Sequence, residues 1–462
     1  MKKRRWIYLI AAAVLAFCMA LTGCGGGPAS GETTSEIHIS AEGNDDAGDG
    51  SAENPYRSIA RGAAEAGPGS IVVIHDGEYD QFEIDSSMSG TADAPVTFRA
   101  AKGETPVIKP AGSGGEDNIG IHIVNADNLT IRGLEVQGGT HGIFYESTPA
   151  QGAKALENIT IRDCTVHGIR GTHGICAYAR NDLAPVKNLV MTGCRVYDCQ
   201  CGSSEATAFN GNIDGFTISG NEIHDNNNIG IDMIGFEGTA RHAKGSGADD
   251  PYEVDFVRNG KCFGNIVYNI SAAGNDAYLE NGAYDLCADG IYVDGGQDIE
   301  ICENYIHHCD IGLEVATEHS PEDNARFKVS GVEVHDNVIA DCTGWCGMSL
   351  GGYDSDRGFT ENCEFVHNTL VDNKVQVGIQ RSKGNTISAN LLVGGEMAFE
   401  YNEDCRPEEM RNDISGNAAC EIDGGSWEDS YGKAYENRDK ILDGFRSLIE
   451  GCGSGFAPDV SD

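Results

Sequence analysis

Positive charge is what this chain has least of. Lys and Arg total 32 against 72 Asp and Glu, for a formal net charge of -40. Nucleic acid is excluded as a partner, because its binding rests on basic side chains that neutralise phosphates. A polyanionic glycan would also be repelled unless cations screened or bridged the contact. Long hydrophobic runs are scarce too. The one near the start, Trp6–Ala20, is at the short end for a membrane span. Zinc-type cysteine spacing is also missing. The chain has 17 cysteines, with close pairs at Cys199-Gln-Cys201 and Cys342-Thr-Gly-Trp-Cys346. No two such motifs combine into a zinc-site layout.

The first residues indicate export. Lys2-Lys-Arg-Arg5 is a basic n-region and the apolar run is an h-region. Leu21-Thr-Gly-Cys24 resembles the lipobox of bacterial lipoproteins. That resemblance implies a signal peptide over 1–23, lipidation of Cys24, and a cell-surface or extracellular protein held to the membrane by its lipid. Residues 24–36 are rich in Gly, Ser and Thr and read as a flexible tether. Cys18 leaves with the signal and Cys24 takes the lipid. An odd number of cysteines remains, so they cannot all pair.

The body of the chain is a repeat. A unit Asn-x-(Thr/Val)-Ile-x-x-Asn-x-(Ile/Val) recurs as Asn128-Leu-Thr-Ile, Asn158-Ile-Thr-Ile, Gly215-Phe-Thr-Ile, Asp298-Ile-Glu-Ile and Gly331-Val-Glu-Val. Several copies are followed by a short Gly-aliphatic strand, as at Gly142, Gly174, Gly230, Gly290, Gly312, Gly347 and Gly378. No unit can bury its own apolar face, so the units must stack into a β-solenoid. An Asn at one place in each coil can hydrogen-bond its stacked neighbours and satisfy a buried turn.

These motifs resemble the right-handed parallel β-helix superfamily, the fold of pectate lyases, and are nearest to the family 9 polysaccharide lyase-like secreted proteins. The resemblance implies an all-β fold over 37–425, with a C-terminal cap or tail over 426–462. It also implies an asparagine ladder at Asn221, Asn265, Asn304, Asn337, Asn368, Asn390 and Asn417. Cys164 and Cys194 replace Asn on that ladder. Cys199, Cys309 and Cys342 share a second aligned position with Asn226 and Asn373. These cysteines read as compact interior residues rather than a disulfide framework. The opening, from Gly43 through Asn54-Pro-Tyr to Pro68-Gly-Ser-Ile-Val-Val-Ile, is similar to that of many secreted β-helix enzymes. A capping helix is expected from Asn54 or Pro55, and a small C-terminal helix from Asp439.

The functional face is read from three strands, Asn228-Ile-Gly-Ile-Asp232, Asp289-Gly-Ile-Tyr-Val-Asp294 and Asp310-Ile-Gly-Leu-Glu314. With Ile231, Ile291 and Leu313 turned inward, Asp232, Tyr292, Asp294 and Glu314 turn outward. Two insertions, 236–257 and 271–286, flank the same strands, and long solenoid loops gather on the functional face. Strand spacing separates the backbones of Asp294 and Glu314 by about 8 Å. That is compatible with the paired carboxyls of a glycoside hydrolase. Glu314 is then the general acid and Asp294 or Asp232 the base or nucleophile. Tyr292, Tyr353 and Trp345 would stack on sugars, and His319 and Arg381 would bind hydroxyls or a carboxylate. His141 and His173 lie in repeated Gly-Thr-His-Gly-Ile segments and read as stacked turn residues.

The family resemblance implies β-elimination on a uronate glycan instead, assisted by calcium on aspartates, here Asp289 and Asp294. The family's Asp-Asp-Gly-x-Asp motif is Ala288-Asp-Gly-Ile-Tyr-Val-Asp294 in this chain. Its base lysine has no counterpart on the next outward strand, so Lys261, Lys244, Arg381 or Tyr292 would have to act. A third reading is a non-catalytic glycan-binding surface protein. All three have a polysaccharide as the partner, and the chain is expected to be a monomer.

Overall fold

The computed structural model describes residues 35–111, 118–352, 357–401 and 412–420. Signal segment, Cys24, nearly all of the tether, Tyr353 and the expected C-terminal helix lie outside them. The described chain is a right-handed parallel β-helix running from Glu36 to Cys420. Its strands fall into parallel sheets of 16, 11 and 12 strands, and each coil feeds one strand into each in turn. The one antiparallel pair among the named strands is a two-residue hairpin, Leu279–Glu280 with Ala283–Tyr284.

The repeat unit follows from turn chemistry. Its first residue adopts a left-handed backbone at Asn128, Asn158, Asn188, Gly215, Asn259 and Asp298. Gly, Asn and Asp tolerate this conformation best. The second Asn forms the ladder. Asn265 donates from Nδ2 to Asn304 Oδ1 at 2.9 Å, and Asn304 donates likewise to Asn337 at 2.9 Å. The chain of bonds continues through Asn368 and Asn390 to Asn417. Cys194 stands on this ladder, its N–H donating to Asn221 Oδ1. Cys199 and Cys342 use Asn226 and Asn373 in the same way on the second one. The cysteines from Cys164 to Cys363 are free thiols.

Interior positions stack aliphatic on aliphatic, such as Leu129, Ile159 and Leu189. The Phe216 ring fills the interior beside Gly260, where a Cβ would lie 2.0 Å from its Cζ. The Gly of the Gly-aliphatic strand has a similar cause. A Cβ at Gly290 or Gly312 would come within 2.7 or 2.4 Å of the next coil's carbonyl oxygen.

The structure corrects three expectations. First, the capping helix is Ile59–Ala63 with Ser58 as N-cap, and does not start at Asn54 or Pro55. Tyr56 is still bridged to Ile39, and Asp45 holds the N–H groups of Arg57 and Ser58. Second, a coil with no Gly-Ile signature, Thr207–Gly211, lies between Ile175–Ala179 and Ile231–Ile234. Third, Gly378 faces Ser349, so the last Gly-aliphatic strand is shifted by two residues from the expected register. Buried Gln376 takes the glycine's place. Its amide donates to the carbonyls of Val393 and Gly394 and accepts from Asn373.

Candidate functional site

The 11-stranded sheet carries the candidate site on its outer face. Asp232, Tyr292, Glu314 and Ser349 stand side by side on consecutive strands. Asp294 lies two residues beyond Tyr292 and pairs with Ala316. Adjacent strands are about 4.8 Å apart and alternate residues about 6.7 Å. Asp232 and Glu314 are thus two strands apart across Tyr292, and Asp294 is offset along the strand direction. Asp232, Asp294 and Glu314 are only 2%, 5% and 8% exposed. Acidic residues that merely solubilise a surface stay in water, so this burial calls for another explanation.

The insertions are held beside these strands. After Ile231–Ile234, residues 236–257 fold over Phe236, Phe256 and Phe327, and the Asp255 carboxylate clasps the N–H groups of Gly238 and Ala240. The second insertion is pinned at both ends by Asp310, which accepts from Ser271 Oγ, Ala272 N and Ala288 N. A third loop, Thr317–Lys328, follows the Glu314 strand and brings Glu318 and His319.

Asp289 joins the trio, buried and within side-chain hydrogen-bonding reach of Glu314. Burial first, then the charge of Glu318, pushes the Glu314 pKa up to about 8 against the lowering bond with Asp289. Burial likewise holds Asp232, Asp289 and Asp294 well above the usual carboxylate range, with neighbouring acids adding to the effect. Asp294 differs from the other two aspartates in its partners. It accepts from the Glu318 N–H at 2.9 Å and is bonded by the Thr317 side chain, and both favour its charged form. Asp232 Oδ1 and Asp289 Oδ1 are buried without a hydrogen-bond partner.

Three acids were not singled out by sequence reasoning. Glu205 heads the strand without a glycine signature, and burial with Glu318 and Glu237 pushes its pKa up to about 8. Glu318 is raised by burial and Glu237, and lowered by Arg357 and His319. Its alternation with Glu314 and Ala316 was a usable signal. Glu237 bonds His319 Nε2 at 3.0 Å. His319 therefore sits on the rim, its ring tilted against Phe327. Arg381 bonds Glu322 and stands over Phe359.

Tyr292 is only 7% exposed and packs on Ile229 and Ala316, so it walls the site rather than offering a free ring face to a sugar. Trp345 packs beside Cys346 and Val375 and donates to Glu400. Neither alternative lysine joins the carboxyls. Lys261 is in the 16-stranded sheet, paired with Glu300 at 2.9 Å, and Lys244 is exposed on the first insertion.

Comparison with known proteins places this geometry in a family. Residues 37–239 match a family described as Pel9A-like, right handed beta helix region, and residues 253–437 match periplasmic copper-binding protein (NosD). The uncharacterized protein YwoF of Bacillus subtilis is 32% identical over 412 residues, spanning 85% of this chain and 82% of YwoF. Among solved structures, the GH136 lacto-N-biosidase of Eubacterium ramulus superposes with a TM-score of 0.58 at 14% identity, covering 84% of this chain and 68% of that one. Pectate lyase Pel9A superposes with a TM-score of 0.51 at 14% identity, covering 86% and 82%. At this identity the two enzymes share a fold with the chain. The chain belongs to the family that includes YwoF, and it shares the right-handed parallel β-helix fold of the Pel9A-like proteins.

Proposed function

We propose that the protein is an exported, lipid-anchored enzyme that hydrolyses a glycosidic bond in an extracellular polysaccharide. The observation that carries this reading is the pair formed by Glu314 and Asp294. A general acid must hold its proton near neutral pH, and a pKa of about 8 does that for Glu314. Its partner must be ionised. Burial, Glu318 and Glu237 raise Asp294, but of the three buried aspartates it alone has hydrogen bonds favouring the carboxylate, so it is assigned as the base that activates water once its proton is lost. Register puts their backbones about 8 Å apart, a spacing compatible with two carboxyls acting on one glycosidic bond. Asp232, across Tyr292, would bind a sugar hydroxyl, and His319 and Arg381 at the rim would contact the polymer.

A second reading is favoured by one observation, the unpartnered buried oxygens of Asp232 and Asp289. An all-oxygen donor set of this kind suits calcium, with Asp289, Asp294 and Asp232 as holders. Bound calcium would neutralise a uronate carboxylate and acidify its neighbouring proton. Neither Lys244 nor Lys261 stands ready to take that proton, which leaves Tyr292, whose buried phenol is pushed well above its ordinary pKa.

A polysaccharide panel assayed with calcium and with a chelator separates the two. Reducing ends without ultraviolet-absorbing products, unaffected by chelator, are expected. Absorbing unsaturated products that vanish with chelator would transfer the assignment to elimination. No product across neutral and uronate glycans alike would leave a glycan-binding solenoid.

A further inference from the structure

We propose that His141, His173 and Cys176 form a binding site for a thiophilic metal cation, copper(I) or zinc(II), separate from the carboxyl pair. The His141 and His173 rings lie against each other with centroids 5.5 Å apart, the His141 ring stacks on Phe144 at 5.1 Å, and Cys176 is paired with Phe144 on the next strand. One ligand atom from each of the three lies within 4.8 Å of the others. Bonds of about 2.0 Å to nitrogen and 2.3 Å to sulfur require a small closure from there.

His173 is held as a metal-binding histidine needs, and His141 Nε2 lies 2.7 Å from Thr172 Oγ1, a bond a metal would replace. His173 Nδ1 is 3.0 Å from the main-chain oxygen of Glu205, a bond that makes Nδ1 the donor and leaves Nε2 with its lone pair. Nε2 now accepts from Tyr178 Oη at 2.9 Å, a bond a metal would replace. Cys176 differs from the ladder cysteines. Cys199, Cys309 and Cys342 donate from sulfur to carbonyls at 3.4, 3.4 and 3.5 Å. The Cys176 thiol makes no hydrogen bond among the described residues, although it is fully buried. The wall around it is Phe144, Ala208 and Ile234. Imidazole and thiolate together select soft cations. On binding, the thiol gives its proton to solvent and the sulfur bonds the metal. With copper(I) the complex is neutral, which suits the apolar wall. With zinc(II) one positive charge remains, and the Glu205 carboxylate, 3.5 Å from His173 Nδ1, would balance it.

The test is metal titration of the full chain stripped of metal under reducing conditions. Cobalt(II) should bind with a thiolate-to-metal charge-transfer absorption and be displaced by zinc(II). Copper(I) should be taken from a chromophoric chelator. Cys176→Ala and His173→Gln should lose the cobalt band and the copper uptake, whereas Cys302→Ser, in the separate group of Glu300, Cys302 and His335, should keep both. Ala208 fills the position of Cys176 one coil on, so Cys176→Ala is expected to fold, which circular dichroism checks. If it does not, half-buried His141→Gln decides by the same readouts. Binding undiminished in a folded Cys176→Ala or His141→Gln variant overturns the site, as does wild type that takes up none of the three ions.

Discussion

Replacing Glu314 with Gln should make the protein more stable at alkaline pH while abolishing its activity. Glutamine keeps the shape of a protonated glutamic acid and cannot ionise. The wild-type carboxyl has a folded pKa of about 8 against an ordinary 4.5. Below 4.5 both folded and unfolded states hold the proton, and the contribution to stability is complete. Between the two values the unfolded state has lost the proton and the folded state keeps it. Stability therefore falls as pH rises, by about 1.4 kcal/mol per unit for this one group. Across the window the loss is on the order of 5 kcal/mol. The variant lacks this loss. Urea denaturation of both proteins at pH 5, 6.5 and 8 with chelator present should show near-equal stability at pH 5 and a growing advantage for the variant above it. General charge repulsion in so acidic a chain acts on both proteins and cancels in the difference. A difference that stays flat with pH would refute the reasoning, because Glu314 would then ionise in the folded state at its ordinary pKa. Added calcium that erases the wild-type slope would point towards the metal-assisted reading.

Other changes test other parts of the argument. Asp294→Asn keeps an acceptor for the Glu318 N–H but cannot act as a base, and should lower kcat by about 10²–10⁴-fold. Asp310→Ala should free both ends of the second insertion and leave the solenoid folded. The readout is faster limited proteolysis between 271 and 288, with KM raised more than kcat is lowered. In the ladder, Asn304→Ala deletes four side-chain hydrogen bonds, to Cys262, Asn337 and twice from Asn265, inside the core. It should cost on the order of 4 kcal/mol, seen as a lowered denaturation midpoint. The described thiols other than half-buried Cys287 should alkylate only after denaturation, because they are buried without disulfides.

The fold was legible because its cause is local and repeated. Asn and Gly mark the left-handed turns and Asn marks the ladder, so coils could be aligned by eye from Asn221 to Asn417. Cysteine on the ladder was legible for the same reason, since a small side chain whose N–H faces the next Asn fits the same hole. The coil Thr207–Gly211 was not legible, because Ala206 stands where other coils have glycine. With it went Glu205, one residue earlier, which belongs to the carboxyl cluster and also touches His173. The coil of Val375–Ile379 slipped by two residues for the opposite reason. Gln376 occupies the glycine position and the visible Gly378 does not.

Outward direction was legible for Asp232, Asp294 and Glu314, but their burial was not. Alternation along a strand says which side a residue faces. It is silent on whether a loop folds back over that side. Here the flanking loops are fixed by Asp255, whose oxygens accept backbone N–H groups, and Asp310, which accepts two backbone N–H groups and the Ser271 hydroxyl. From composition alone these clasps are indistinguishable from Asp232 or Asp294. What separates the two classes is the partner: a carboxylate saturated by backbone donors is already committed to the fold. Asp232 and Asp289, buried with an oxygen unbonded, keep a capacity that only a proton, a sugar hydroxyl or a cation can fill. The site is thus defined less by where acids are plentiful than by where buried ones remain unspent.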